Sequence, residues 1–391
     1  MLRTAAGAVL VAALAPAGAR AQAAAAPETT PDWTVYVGTF TRRSSEGIYA
    51  FAFSADTGRL RALGLAAAAR TPSFLAASAD GKFLYSTNEL TRTTGGEGPN
   101  GFGGVSAYAR IPGDYHLRFL NRQSSGGEGP CHVAVDAENR WLYAAHYNSG
   151  SVAVFALRGD GRISPASLIL QDSGSGPRPR QKGPHAHCVV LDPAERFLYS
   201  CDLGADRVMV YRVGGSSGQL ARAGPSAAAE PAGSGPRHII LSPQLHRAYV
   251  VNELASTVCV FDWREGEARL TLIQTVSALP AGWAGANASA ELQLSPDRRF
   301  LYVSNRGLDS IARFAVGADG TLVLAENVPS GGRTPRFLTL DPSGKFLLVA
   351  DEDSERIQVF RRDAASGRLS LVPGGAGAVS MPSCLVFAPP G

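Results

Sequence analysis

Several short segments of this chain concentrate the residue types that hold anions and move protons. Gly183-Pro184-His185-Ala186-His187 sets two histidines two positions apart. Gly129-Pro130-Cys131-His132, Gly235-Pro236-Arg237-His238 and Thr334-Pro335-Arg336 repeat the proline lead with other side chains, while Asn252-Glu253 and Asn305-Arg306 add a carboxylate and a further guanidinium. Guanidinium groups grip carboxylate or phosphate in two-pronged fashion. A surface joining His187, Arg237 and Arg336, with Glu253 and Arg306 beside it, is therefore an anion-binding cup. His132, His185 and His187 with Glu253 are also donor types for a divalent metal, but no ligand spacing marks such a site, and no metal or other cofactor is expected. Neither a Gly-x-Gly-x-x-Gly or Gly-x-x-x-x-Gly-Lys phosphate loop nor a Gly-x-Ser-x-Gly elbow occurs, so nucleotide and serine-hydrolase chemistry lack support.

These segments matter only if the fold gathers them, and an internal repeat does so. One twelve-residue frame runs from an apolar stretch through an Asp/Pro/Gly turn to aromatic-Leu-Tyr. It recurs at 74–85, 132–143, 188–199, 238–249, 291–302 and 337–348. Each frame leads into a third short strand, such as Ser151-Val-Ala-Val-Phe155 or Arg356-Ile-Gln-Val-Phe360. Several fourth strands open on Gly-x-Leu or Gly-x-Ile, as at Gly367-Arg368-Leu369. Four short alternating strands per unit spell the blade of a β-propeller. The chain opens on a second strand, Thr34–Gly38, and closes on a first strand, Pro382–Pro389. The two complete each other, so the expected fold is an all-β, seven-bladed propeller of four-stranded antiparallel blades with almost no helix.

In such a blade the loop leading into strand one and the loop joining strands two and three lie on one face. Aligned on the frame, Ser73, Cys131, His187, Arg237, Ala290, Arg336 and Ser383 share a single position and form a ring at the channel mouth. The second-to-third loops carry Asn88-Glu89, His146-Tyr147-Asn148, Asp202-Leu203, Asn252-Glu253, Asn305-Arg306 and Asp351-Glu352 to the same mouth. Asp202, Asp309 and Asp351 read as turn chemistry.

The chain has 391 residues, 45% of them hydrophobic and 18% charged, which excludes wholesale disorder. Residues 1–21 read as a cleavable export signal, with Arg3 before an apolar run too short to span a bilayer and Ala19-Arg20-Ala21 at the cut. A flexible leader over 22–31 and one domain over 32–391 would follow, in the periplasm or outside the cell. Loss of Arg3 and Arg20 leaves 35 basic against 33 acidic residues, a balance that gives no steering toward nucleic acid or membrane. Five cysteines with no Cys-x-x-Cys offer no redox motif. Cys188 and Cys201 would face each other across a hairpin turning at Ala194-Glu195, within reach of a cross-strand disulfide.

Taken in order, Gly-Pro-His185-Ala-His187, Asp-Leu-Gly204-Ala-Asp, Asn-Glu253-Leu-Ala-Ser-Thr-Val, Ala-Ser-Ala-Glu291-Leu and Ser-Asn-Arg306-Gly-Leu-Asp-Ser-Ile resemble the seven-bladed propeller lactonase family. That family includes propeller-type 6-phosphogluconolactonases of bacteria and fungal carboxy-cis,cis-muconate cyclase. The resemblance covers essentially the whole chain beyond the signal, with Leu308 where family members more often carry His. It implies hydrolysis of a small sugar-type lactone without metal, at a catalytic site of His187 (or His185), Arg237, Glu253 and Arg306; a monomer is expected. Glu253 would be general base on water, Arg306 or His187 would meet the oxyanion, and Arg237 with Arg336 would hold a substrate anion. His185 and His132 would complete the binding surface. A lactone-forming cyclase and a non-catalytic binding propeller are the alternatives.

Overall fold

Each twelve-residue frame folds as the hairpin joining the two inner strands of a four-stranded antiparallel sheet. The computed structural model describes residues 33–96, 101–214 and 218–389; the expected export signal and leader lie outside them. Blades 2 to 6 run over 75–124, 130–171, 190–229, 236–277 and 288–329, each with its strands in sequential order. In blade 7 the outermost strand is in two pieces, Leu369–Leu371 and Gly377–Ala378, both pairing with Arg356–Arg362. Helix among the described residues is confined to two 3-10 turns, Arg92–Thr94 and Pro243–Leu245, and none is long and apolar enough to cross a membrane.

Ring closure follows the permuted scheme. The C-terminal strand Pro382–Ala388 pairs with Trp33–Thr39, setting Val35 opposite Phe387 and Val37 opposite Leu385. The completed blade 1 is packed on both faces. Val35, Val37, Phe51 and Phe53 meet Phe346 and Leu348 of blade 7, while Tyr36 and Ile48 meet Leu75 and Leu84 of blade 2.

Tyrosines that end three of the frames hydrogen-bond to the backbone of the next blade. The hydroxyls of Tyr199, Tyr249 and Tyr302 donate to the carbonyls of Glu267, Gly320 and Gly367 in the next blade, at 3.0, 2.9 and 2.7 Å. Gly367 must be glycine twice over: its φ is +69°, and a Cβ would lie 2.4 Å from the Phe300 ring. Asp192 and Asp341 clamp the inner hairpins, each accepting from the amide of the aromatic residue that opens strand two at 2.7 Å.

One expectation is corrected here, and the open question of a disulfide is answered. Cys131-His132, Arg237-His238, Ala288–Ala290 and Arg336, read as loops, belong to the inner strands Pro130–Val135, Pro236–Ser242, Ala288–Leu294 and Pro335–Leu340. The sheet therefore reaches the mouth itself. All five cysteines are free and buried, so Cys188 and Cys201 are thiols rather than a disulfide.

Deleting Met381–Gly391 should open blade 1 at its inner edge. Removing Leu385 and Phe387 from their contacts costs on the order of 3–6 kcal/mol, comparable with the net stability of a domain. The truncated chain is expected to aggregate or melt well below the parent; an unchanged melting temperature would contradict the closure.

Candidate active site

The ring position is built from β-bulges. In blades 3, 5 and 7 the register between strands one and two slips between Pro130 and His132, Pro236 and His238, and Pro335 and Phe337. The skipped residue is Cys131, Arg237 or Arg336. A bulge re-aims the side chain of its extra residue, and here Cys131 and Arg336 reach the cavity at the mouth while Arg237 packs behind it.

One position further along, the channel is filled. Phe74 stacks on His132 at 3.9 Å between centroids, and its ring lies 6.0 Å from both His238 and Phe337. His238 in turn lies 5.2 Å from His132 and 5.3 Å from His187. Contacts between non-adjacent blades require these rings to meet on the axis, so the mouth has a floor. Glu291 belongs to this layer, its Oε2 2.8 Å from His238 Nδ1, out of line for a hydrogen bond. Burial pushes its carboxyl up to about 8 against the pull of Arg237.

At the mouth, Glu253 follows the last residue of the strand Arg247–Asn252, and its amide donates to the Gly235 carbonyl at 2.8 Å. Three guanidinium groups converge on its carboxylate. Arg180 Nη1 is 2.7 Å from Oε1; Arg306 Nη2 and Arg237 Nε are 2.9 and 3.2 Å from Oε2. His187 Nε2 stands off at 3.9 Å. Burial works to raise the Glu253 carboxyl, but the charges of Arg306, Arg237 and Arg180 prevail and hold it well below the usual carboxylate range. A carboxylate so stabilised is a poor proton acceptor, which argues against the general-base role expected for it. Its geometry suits the ordering of arginines.

A cavity of about 260 Å³ opens over this cluster, lined by Glu89, Cys131, Tyr147, Arg180, His187, Glu253, Arg306 and Arg336. Arg336 pairs with Glu352 at 3.6 Å and lies over the Phe40 ring at 4.8 Å. Arg237 is not in the lining. It is 3% exposed, donates from Nη1 to the Ala290 carbonyl at 2.6 Å and backs Glu253 from inside the wall. Burial, with Arg306 and Arg336 nearby, lowers it to about 10, so it remains a cation. It buttresses the cup.

His187 lines the cavity with its pKa pushed well below the ordinary value by burial and by Arg237. As a neutral imidazole it can donate one hydrogen bond to an oxyanion but brings no charge. The other two expected histidines sit apart. His132 is in the axial floor, and His185 is stacked on Tyr147 at 4.6 Å with Nδ1 2.6 Å from the Tyr147 carbonyl. Their places in sequence resemble that of His187, but strand alternation and a ring stack turn them elsewhere. The Cys131 thiol donates toward the His187 carbonyl at 3.3 Å and burial raises its pKa, so it is no nucleophile. Asp202, as expected, is turn chemistry, accepting from the amides of His185, Gly204 and Ala205. Among the described residues no group of three or more His, Cys, Asp or Glu is arranged to hold a metal ion.

Sequence reasoning missed Arg180, whose Nη2 also donates to the Tyr147 hydroxyl at 2.6 Å. It lies outside the repeat, in the connection from blade 3 to blade 4. The only signal was the basic run Arg178-Pro-Arg180-Gln-Lys182. Gln181 pins that connection, donating to the Leu203 carbonyl at 2.8 Å and to Asp206 at 2.6 Å.

A seven-bladed propeller whose mouth is an arginine-rich cup defines a class that the comparisons with known proteins make definite. The family described as "Lactonase, 7-bladed beta-propeller" matches residues 34–387. The chain belongs to this family and is an enzyme of the lactone-hydrolase class. It is 35% identical to the 6-phosphogluconolactonase of Bacillus subtilis, over 90% of this chain and 97% of that one. A 6-phosphogluconolactonase of Formosa agariphila is 31% identical over 87% of this chain and 95% of its own length. Among solved structures, the periplasmic gluconolactonase of Pseudomonas aeruginosa superposes with a TM-score of 0.85 at 34% identity, covering 92% of this chain and 100% of that one.

Two carboxyls of this site should affect stability with opposite pH dependence. Glu253 is depressed in the fold, so its contribution is complete above the unfolded value of about 4.3 and fades as pH falls below it. Glu253→Gln should destabilise by roughly 3 kcal/mol at pH 7, with the gap closing in acid. Glu291 is raised to about 8, so its ionisation costs stability as pH climbs from the unfolded value toward 8. Glu291→Gln should flatten that decline. Denaturant midpoints of parent and variants between pH 3 and 8 check both signs.

Proposed function

We propose that this enzyme hydrolyses the lactone of a sugar acid in the cavity at the channel mouth. The observation that carries the reading is the convergence of Arg180, Arg306 and Arg336 with His187 and two acidic side chains on one cavity of about 260 Å³. Lactone hydrolysis develops negative charge on the carbonyl oxygen, and fixed cationic donors facing a small cavity stabilise that charge without reorganising. Arg306, held by Glu253 and by the Ala288 carbonyl at 3.1 Å, is assigned to the oxyanion, with the His187 N–H as a second donor. Arg336 and Arg180 are assigned to the hydroxyls or the anionic group of the substrate. The guanidinium charges supply the electrophilic stabilisation that a Lewis acid would otherwise give, so activity is expected to survive EDTA and dialysis.

Export through a signal cut after Ala21 belongs to the same proposal, supported by the likeness to a periplasmic gluconolactonase. An exported enzyme rarely meets phosphorylated sugars, which favours an unphosphorylated aldonolactone or a carboxylated lactone.

Acid release from δ-gluconolactone and 6-phosphogluconolactone, measured above spontaneous hydrolysis, tests this directly. Arg306→Ala should lower kcat by roughly 10²–10³. Arg336→Ala should chiefly raise KM, more for an anionic lactone than a neutral one. Asp351→Asn, a buried change outside the cavity lining, should leave turnover near the parent value. A parent that hydrolyses no lactone in such a panel would make the mouth a binding surface.

A further inference from the structure

The proposed reaction needs a group that takes a proton from water, and Glu253 is badly placed to do so. The pseudosymmetry of the ring supplies a second carboxylate. Glu89 follows Asn88 in blade 2 as Glu253 follows Asn252 in blade 5, and both amides make the same hydrogen bond, to Thr71 O at 3.0 Å and to Gly235 O at 2.8 Å. Both side chains line the one cavity.

Their surroundings differ. Glu253 is sealed in by three arginines, whereas Glu89 makes no ion pair among the described residues and is half-buried rather than buried. Its protein partner is Ser73, whose hydroxyl donates to Oε2 at 2.5 Å. Ser73 is itself held 3.1 Å from the Thr87 hydroxyl and occupies the ring position that Arg237 takes in blade 5. Among the described residues Oε1 makes no hydrogen bond.

We infer that Glu89 is the general base of this enzyme, fixed by Ser73 in the cavity that the arginines line. The inference rests on the lactonase reading. Ionised Glu89 accepts a proton from water as the water oxygen bonds to the carbonyl carbon, and the carbonyl π pair moves to the oxygen held by Arg306. Collapse of that adduct breaks the acyl C–O ring bond. The departing ring oxygen takes the proton back from Glu89 and leaves as a hydroxyl. The product acid then ionises, so one water is consumed and one proton released.

The charged and titratable groups facing Glu89 are Arg336, Arg42 and Glu352, with Cys131 beyond. Burial raises its carboxyl above the ordinary range, while Arg336, the Ser73 hydrogen bond and Arg42 pull the other way without cancelling it. Such a carboxyl is more basic than Glu253.

The test is kinetic, on the full chain with δ-gluconolactone and 6-phosphogluconolactone between pH 5 and 8. Glu89→Gln should lower kcat by about 10²–10⁴, leave KM within a few-fold and flatten the acid limb of the kcat profile. Ser73→Ala, which removes the hydroxyl that donates to the ionised carboxylate, should shift that limb to higher pH, a change that loss of packing alone would not produce. A parent inactive on both lactones defeats the lactonase reading together with this inference. An active parent with a Glu89→Gln variant of equal kcat, or a Ser73→Ala limb that does not move, defeats only the assignment to Glu89.

Discussion

The mouth of this propeller depends on one buried carboxylate. Arg237, Arg306 and Arg180 come from blade 5, blade 6 and the connection into blade 4, and Glu253 touches all three. Two guanidinium charges about 4 Å apart repel by on the order of 4 kcal/mol at an effective dielectric near 20, so gathering them unpaired would work against the fold. With Glu253 at their centre the attraction offsets the repulsion and fixes three planar groups. The same balance lowers the basicity of Glu253, so one residue cannot both hold the cup together and deprotonate water. That constraint divides the labour of the site between two acidic residues at equivalent places in different blades.

The scaffold makes the division possible. Seven copies of one hairpin present seven equivalent residues, and bulges displace Cys131, Arg237, Arg336 and Ser383 from the ladder. Because the residues one place further along meet across the axis, the channel is filled beneath the mouth. The ring is symmetric in backbone and asymmetric in chemistry. Arginine stands at this position in blades 5 and 7 and serine in blades 1 and 2, and the one cavity is lined by arginines and by Glu89 and Glu253.

Most of the fold was legible in sequence because its determinants are local and repeated. The alternating strands, the Asp-clamped turns and the terminal tyrosines announce each blade, and the unmatched strands at 34–38 and 382–389 announce the closure. The site was legible at the level of position. His187, Arg237, Glu253, Arg306 and Arg336 do meet at one mouth, since frame alignment carries geometric information. Roles were less legible. Whether Arg237 grips substrate or stands behind the wall depends on its hydrogen bond to Ala290, and whether Glu253 is a base depends on how many cations reach it. Arg180, one of those cations, sits outside the repeat. His132 and His185 were overread because a histidine in a Gly-Pro segment looks the same whether its ring faces the cavity or stacks on Phe74 or Tyr147.

The central claim is that the arginines ordered by Glu253 form the anion-binding wall of a lactone site. A crystal structure of the protein with gluconate, the carboxylate product of δ-gluconolactone hydrolysis, tests it most directly. The account predicts the carboxylate within hydrogen-bonding distance of Arg306, with the hydroxyl chain reaching toward Arg336 and the Arg180–Glu253 and Arg306–Glu253 pairs intact. Gluconate bound on the opposite face of the ring, or bound at the mouth only after those pairs have broken, would contradict it.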